Sequence, residues 1–118
     1  MTEYLNKKDF LKPQNMIYLY SIGAFPMADE NGELNWYMPN IRAIIPLNEY
    51  NFPRNLRKHM EKSDYEYRYD ENILRIIKLC AQRKETWISD DLISAYKNLI
   101  DRGYVHTVKK KKKDKLVG

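Results

Sequence analysis

Short apolar stretches alternate with turn signals along the chain, and their spacing predicts a series of small elements. The clearest lies at Thr86–Tyr96. Ser89 can accept a hydrogen bond from a free amide of a first helical turn. Asp90 and Asp91 put negative charge at the positive end of the helix dipole, and Ile88 with Ile93 can form a hydrophobic staple. Leu92, Ile93, Tyr96, Leu99 and Ile100 make one apolar face and Gly103 a natural stop, which predicts a helix over 90–102. Trp87 sits just outside that helix. An aromatic there is either a core plug or a stacking surface.

The other elements are shorter. Residues 1–12 read as polar and loosely held. Pro13 opens a helix with Met16, Ile17, Leu19 and Tyr20 on its apolar side and Gly23 at its end. Ala24–Met27 turns the chain, and Asp29-Glu-Asn-Gly32 is a second turn signal. Residues 34–38 and 42–47 read as two strands joined at Pro39-Asn40. A helix over 53–62 would turn Phe52, Leu56 and Met60 inward, with Arg54, Lys58 and Lys62 roughly opposite. Residues 65–69 predict a strand with one tyrosine face, and Asp70 predicts the cap of a helix over 71–82 carrying Ile73, Ile76, Ile77 and Cys80 on one side. A strand begins in 104–111, Asp114-Lys115 turns, and Leu116–Gly118 starts to return. The expected fold is α+β: helices packed on a small antiparallel sheet, with the last strand incomplete and partly unpaired. The sequence reads as one domain, cut within an element.

Composition narrows the classes. The 118 residues, 43% apolar and 31% charged, suit one small globular domain. No apolar run is long enough to cross a bilayer, and MTEYLNKKDF has no signal-peptide core, so the expectation is a cytoplasmic protein without a membrane partner. A single cysteine excludes an internal disulfide and a cysteine-based zinc site; Cys80 is expected as a buried thiol. The net charge of +5 comes wholly from residues 109–118, with six lysines and one aspartate. The rest of the chain is neutral, so nucleic-acid binding there has to come from local arrangement of charge.

Few residues suggest chemistry. His59 and His106 are far apart, and no Ser/His/Asp set, phosphate-binding glycine loop or metal-ligand spacing appears. Capping accounts for Asp90 and Asp91. No catalytic residue and no metal site is assigned. Arg54, Lys58 and Lys62 lie one turn apart and span about 12 Å of helix, enough to track a few phosphates; the plain alternative is a solvated face. Lysines 109–113 alternate between two faces if they form a strand, so they do not make one continuous patch. Phe25, Trp36, Tyr37, Trp87 and Tyr96 fall near turns or element ends. Bases stack on such side chains for roughly 1–3 kcal/mol each, and together with the basic strip they fit single-stranded RNA ends better than duplex readout.

Tyr20-Ser-Ile-Gly-Ala-Phe-Pro-Met27, Leu34-Asn-Trp-Tyr-Met-Pro39 with Arg42-Ala43, and Phe52-Pro-Arg54 follow in an ordered series. So do Thr86-Trp-Ile-Ser89, Ala95-Tyr96, Gly103-Tyr-Val-His106 and Leu116-Val-Gly118. In this combination and order the chain resembles the N-terminal part of bacterial leucyl/phenylalanyl-tRNA–protein transferases. The resemblance implies an aminoacyltransferase that moves leucine or phenylalanine from its tRNA to an N-terminal arginine or lysine of an acceptor protein, marking it for degradation. It implies no cofactor and no DNA partner. Residues 13–108 would be the family's N-terminal domain, and 109–118 the basic start of a truncated hairpin or C-terminal domain. Trp87, Tyr96 and Met27 match positions that hold the terminal adenosine, with Met27 where family members usually carry tryptophan. Arg54, Lys58 and Lys62 match the helix that meets the tRNA acceptor stem. The family's acyltransferase-like C-terminal domain lies beyond Gly118, so this chain alone is expected to contact tRNA and catalyse nothing. Alternatives from the same residues are a noncatalytic RNA-binding module or a fragment without stable function.

Overall fold

The computed structural model describes residues 7–118. A 3-10 turn, Lys7–Leu11, leads into helix α1, Pro13–Ser21. Proline at the first helical position has no amide to leave unpaired. Met16, fully buried, faces the core, and the chain leaves α1 through Gly23 at φ +93°. Strand β1, Phe25–Ala28, pairs antiparallel with β2, Leu34–Tyr37. The Asp29–Gly32 signal closes this hairpin. The Asp29 carboxylate accepts from the amides of Asn31 and Glu33, each at 2.9 Å, and Gly32 supplies a positive φ of +76°.

Two expectations fail here. Residues 25–27 are strand, not turn, and 42–47 are not strand. Since β1 reaches β2 through the Asp29 turn, 42–47 has no ladder to join, and Pro46 lacks an amide. Ile41 and Leu47 are left 92% and 88% exposed. Helix α2, Arg54–Lys62, forms as expected but buries nothing. Leu56 and Met60 do not face a core; they are exposed, and Phe52 is half-buried under the Arg57 guanidinium. The radius of gyration is 17.4 Å and the longest dimension 59 Å, against a radius of about 13–14 Å expected for a compact chain of this length.

The second sheet has order β3-β4-β5, with β3 at Glu66–Tyr69, β4 at Val108–Lys112 and β5 at Lys115–Leu116. All its pairings are antiparallel. The lysine-rich strand is therefore central, with β3 at one edge and the short last strand, β5, at the other. The turn joining them is Lys113-Asp114, one residue earlier than expected. Both have positive φ, 50° and 63°, the signature of a two-residue type I′ hairpin.

Helix α3, Ile73–Ala81, starts at Asn72, which has left-handed backbone and no side-chain cap bond. Asp70 does not cap it, because its carboxylate is engaged by His106 and Thr107 instead. Cys80 is exposed, not buried. Helix α4, Asp90–Asp101, is the best specified element: the Ser89 hydroxyl accepts from the Leu92 amide at 3.2 Å, and Gly103 follows at φ +79°. Leu92, Ala95 and Leu99 join Met16 in the buried cluster, with Leu11, Ile17, Leu34, Trp36, Tyr96 and Val105 packed around it. Helices and two small antiparallel sheets thus make an α+β arrangement, as expected.

Candidate functional site

Helices α1, α3 and α4 do not close completely against the segment 104–107. They leave an open cavity of about 790 Å³, within the range of small-molecule sites. Its wall is mostly apolar: Ile17, Ile76, Ile77 and Leu99, with Tyr20, Trp87, Tyr96 and Tyr104 supplying rings. Trp87 is 46% exposed, so the core-plug alternative does not describe it. Its carbonyl accepts from the Ala28 amide at 3.1 Å, which ties the ring's backbone to the end of β1.

The tyrosines are fixed by each other. Tyr20 and Tyr96 share a hydrogen bond between their hydroxyls at 2.7 Å, and Trp36 meets Tyr20 edge to face with centroids 5.5 Å apart. Burial is the main cause that raises both phenols above their ordinary range. The shared bond then raises Tyr20 further and offsets part of the rise at Tyr96. Both stay neutral near pH 7, so this wall offers π faces and hydroxyls without charge. The Trp36 indole nitrogen is buried with no partner among the described residues.

At the cavity rim, His106 and Thr107 meet Asp70. The Asp70 carboxylate lies 2.9 Å from Nδ1 of His106 and accepts from the Thr107 amide at 2.9 Å. Asp70 returns its own amide to the Thr107 carbonyl. The His106 contact first, and the Thr107 amide second, hold the Asp70 carboxyl below the usual carboxylate range. A depressed folded-state value contributes stability above the unfolded carboxylate's pKa, about 3.9, and loses it as pH falls through the lower folded value. Asp70→Asn should therefore flatten the acid limb of a urea-midpoint series from pH 6 to pH 3. An unchanged limb would remove Asp70 from that dependence.

The sequence-selected residues separate into three places. Trp87 and Tyr96 share the cavity. Met27 is half-buried in β1, opposite Asn35, and is not on the cavity wall. Arg54, Lys58 and Lys62 lie exposed on α2, with no ion pair to another described residue. Sequence reasoning missed Tyr20, Tyr104 and the Asp70–His106 brace. Tyr20 was visible as part of the α1 apolar stripe, but its pairing with Tyr96 spans 76 positions and leaves no local signal. Among the described residues no group of three or more His, Cys, Asp or Glu could hold a metal, and no helix is long and apolar enough to cross a membrane.

Comparison with known proteins decides the family. Residues 44–118 match the family model described as leucyl/phenylalanyl-tRNA protein transferase, and residues 10–40 match the model of its N-terminal domain. The chain belongs to the leucyl/phenylalanyl-tRNA–protein transferase family. Proteins of that name from Salinibacter ruber, Herpetosiphon aurantiacus and Sulfurimonas denitrificans are 37%, 38% and 38% identical to it. The alignments cover 85%, 92% and 92% of this chain but 45%, 56% and 49% of those relatives. The chain thus spans about half the length of these transferases. Of the segments that carry the resemblance, four border the cavity: Tyr20–Met27 through Tyr20 and Ser21, Thr86–Ser89 through Trp87 and Ile88, Ala95-Tyr96 through Tyr96, and Gly103–His106 through Tyr104, Val105 and His106.

Proposed function

We propose that this chain forms the tRNA-facing part of a cytoplasmic leucyl/phenylalanyl-tRNA–protein transferase. The observation that carries the proposal is that a half-exposed Trp87 and a Tyr96 anchored by Tyr20 line the same mostly apolar cavity. An adenine ring needs a flat apolar partner and no competing charge, and this wall supplies both. Trp87 and Tyr96 then hold the terminal adenosine of an aminoacyl-tRNA, with Met27 contributing from strand β1. Arg54, Lys58 and Lys62 contact its backbone from α2.

The reaction follows from the substrates. The α-amino group of an N-terminal arginine or lysine attacks the leucyl or phenylalanyl ester carbonyl. The new C–N bond forms as the ester C–O bond breaks. The tRNA ribose hydroxyl leaves with a proton, and the acceptor protein carries a new N-terminus that directs its degradation. The ester is already activated, so the transfer requires no cofactor. This chain binds the tRNA side, and no catalytic residue is assigned to it.

Retention of leucyl-tRNA on nitrocellulose tests the reading. Replacing Arg54, Lys58 and Lys62 together by glutamine should weaken retention and flatten the plot of log affinity against log salt by about 2–3. An unchanged slope would rule out α2 as the tRNA contact.

A further inference from the structure

The lysine run 109–113 divides between two faces of the second sheet. Lys109 and Lys111 face α3. Lys109 is nearly buried, 3.4 Å from the Glu71 carboxylate, and both line a small cavity with Asn72 and Arg75. Lys110 and Lys112 take the opposite face, since neighbours along a strand alternate. The Lys110 ammonium lies 3.7 Å from the Tyr65 ring centroid and that of Lys112 lies 5.5 Å from it. Register extends this outward face: Tyr67 is opposite Lys110, Tyr69 is opposite Val108, and Lys115 is opposite Lys112. Cross-strand partners share a face.

One side of the second sheet therefore carries a tyrosine row beside a lysine row. Tyr69 is 70% exposed, and Lys112 and Lys115 are exposed. The acidic neighbour on this side is Asp64, 3.8 Å from Lys112, and both partners are open to solvent, where such a pair does little to neutralise the patch. The face also joins α2. Tyr65 has the His59 ring 5.9 Å away on its helix side and the two ammonium groups on its sheet side.

We infer that the Tyr69, Lys110, Lys112 and Lys115 face is a second nucleic-acid contact that takes a single-stranded RNA segment, continuous through Tyr65 with the α2 strip. The inference rests on the tRNA-binding reading above and adds a surface to it. Ammonium groups on alternate strand positions repeat about every 7 Å, which suits tracking of an extended phosphate chain. The open tyrosine ring favours RNA over an acidic protein, because bases stack on it and carboxylates do not. It also differs from the cavity: the cavity wall is mostly apolar, whereas this face carries three of the six lysines of residues 109–118.

The test is fluorescence anisotropy of a labelled single-stranded RNA oligonucleotide with the full chain from 50 to 300 mM KCl. Replacing Lys110, Lys112 and Lys115 by glutamine should flatten the salt slope by about 2, at roughly 0.7 per single-strand phosphate contact. Tyr69→Ala should weaken binding about tenfold and leave the slope unchanged. If the triple variant fails to show the wild-type circular-dichroism melt, the Lys112→Gln, Lys115→Gln pair replaces it, both sites being exposed. Wild-type slope and affinity in the sheet variants would overturn the inference. If the α2 variant alone loses binding, the transferase reading stands and this second contact falls. If the sheet variants alone lose it, the second contact stands and the α2 assignment falls. Sheet variants that keep RNA but lose retention on immobilised polyglutamate would assign the face to an acidic protein and also overturn the inference.

Discussion

Leu92→Ala is expected to cost about 2–5 kcal/mol, the range for truncating a buried leucine. Leu92 is 0% exposed and sits at the centre of the Met16, Leu92, Ala95 and Leu99 cluster. Two things push the effect upward. The buried cluster is small, so few neighbours can collapse into the space left behind. It also joins two elements distant in sequence, since Met16 comes from α1 and the other three from α4. A small domain is stable by only about 5–15 kcal/mol, so a loss of this size should lower the melting midpoint by ten degrees or more and shift the urea midpoint visibly. Ile44→Ser is the control. Ile44 is as apolar but 74% exposed, and its replacement should change stability by about 0.5 kcal/mol or less. Equal destabilisation by both would show that the α4 cluster is not what holds the chain together.

That contrast also explains what could be read from the residue order. The α4 start was legible because every signal for it is local: Ser89, Asp90 and Asp91 act within one turn, and the observed cap bond joins residues three apart. The Asp29–Gly32 turn was legible for the same reason. What these elements pair with was not. The strand signal over 42–47 is real in composition, yet a strand exists only where a partner's amides and carbonyls meet it, and β2 had already found β1. Asp70 misled in the opposite way. It has the side chain of a cap, but His106 and Thr107 lie across the sheet and claim both its oxygens. The candidate site divides likewise. Its aromatic and basic residue types were visible, whereas the enclosure of Trp87 and Tyr96 in one cavity depends on α3 docking beside α4. The separate placement of the lysines on two faces needed only the period of a strand, and it was anticipated.

Trp87→Ala should separate binding from stability. The ring is half in solvent, its backbone tie to Ala28 does not involve the side chain, and it lies outside the buried cluster. The fold should therefore survive with a near-wild-type melt. Affinity for an aminoacyl-tRNA should fall by the value of one stacked base, about 1–3 kcal/mol, or about 5- to 150-fold. Stacking releases no counterions, so the salt slope should stay where it is, unlike the effect of removing Arg54, Lys58 and Lys62. Trp87→Phe should recover most of the loss, since a smaller π face remains. Tyr96→Phe asks a different question: it keeps the ring and removes the hydroxyl bonded to Tyr20, and should cost less affinity than Trp87→Ala. The discriminating comparison is between RNAs ending in adenosine and the same RNAs lacking that terminal residue. Wild-type protein should prefer the first, and Trp87→Ala should bind both alike. A variant that retained the full preference would leave the cavity without its proposed ligand, whatever happened at the α2 strip.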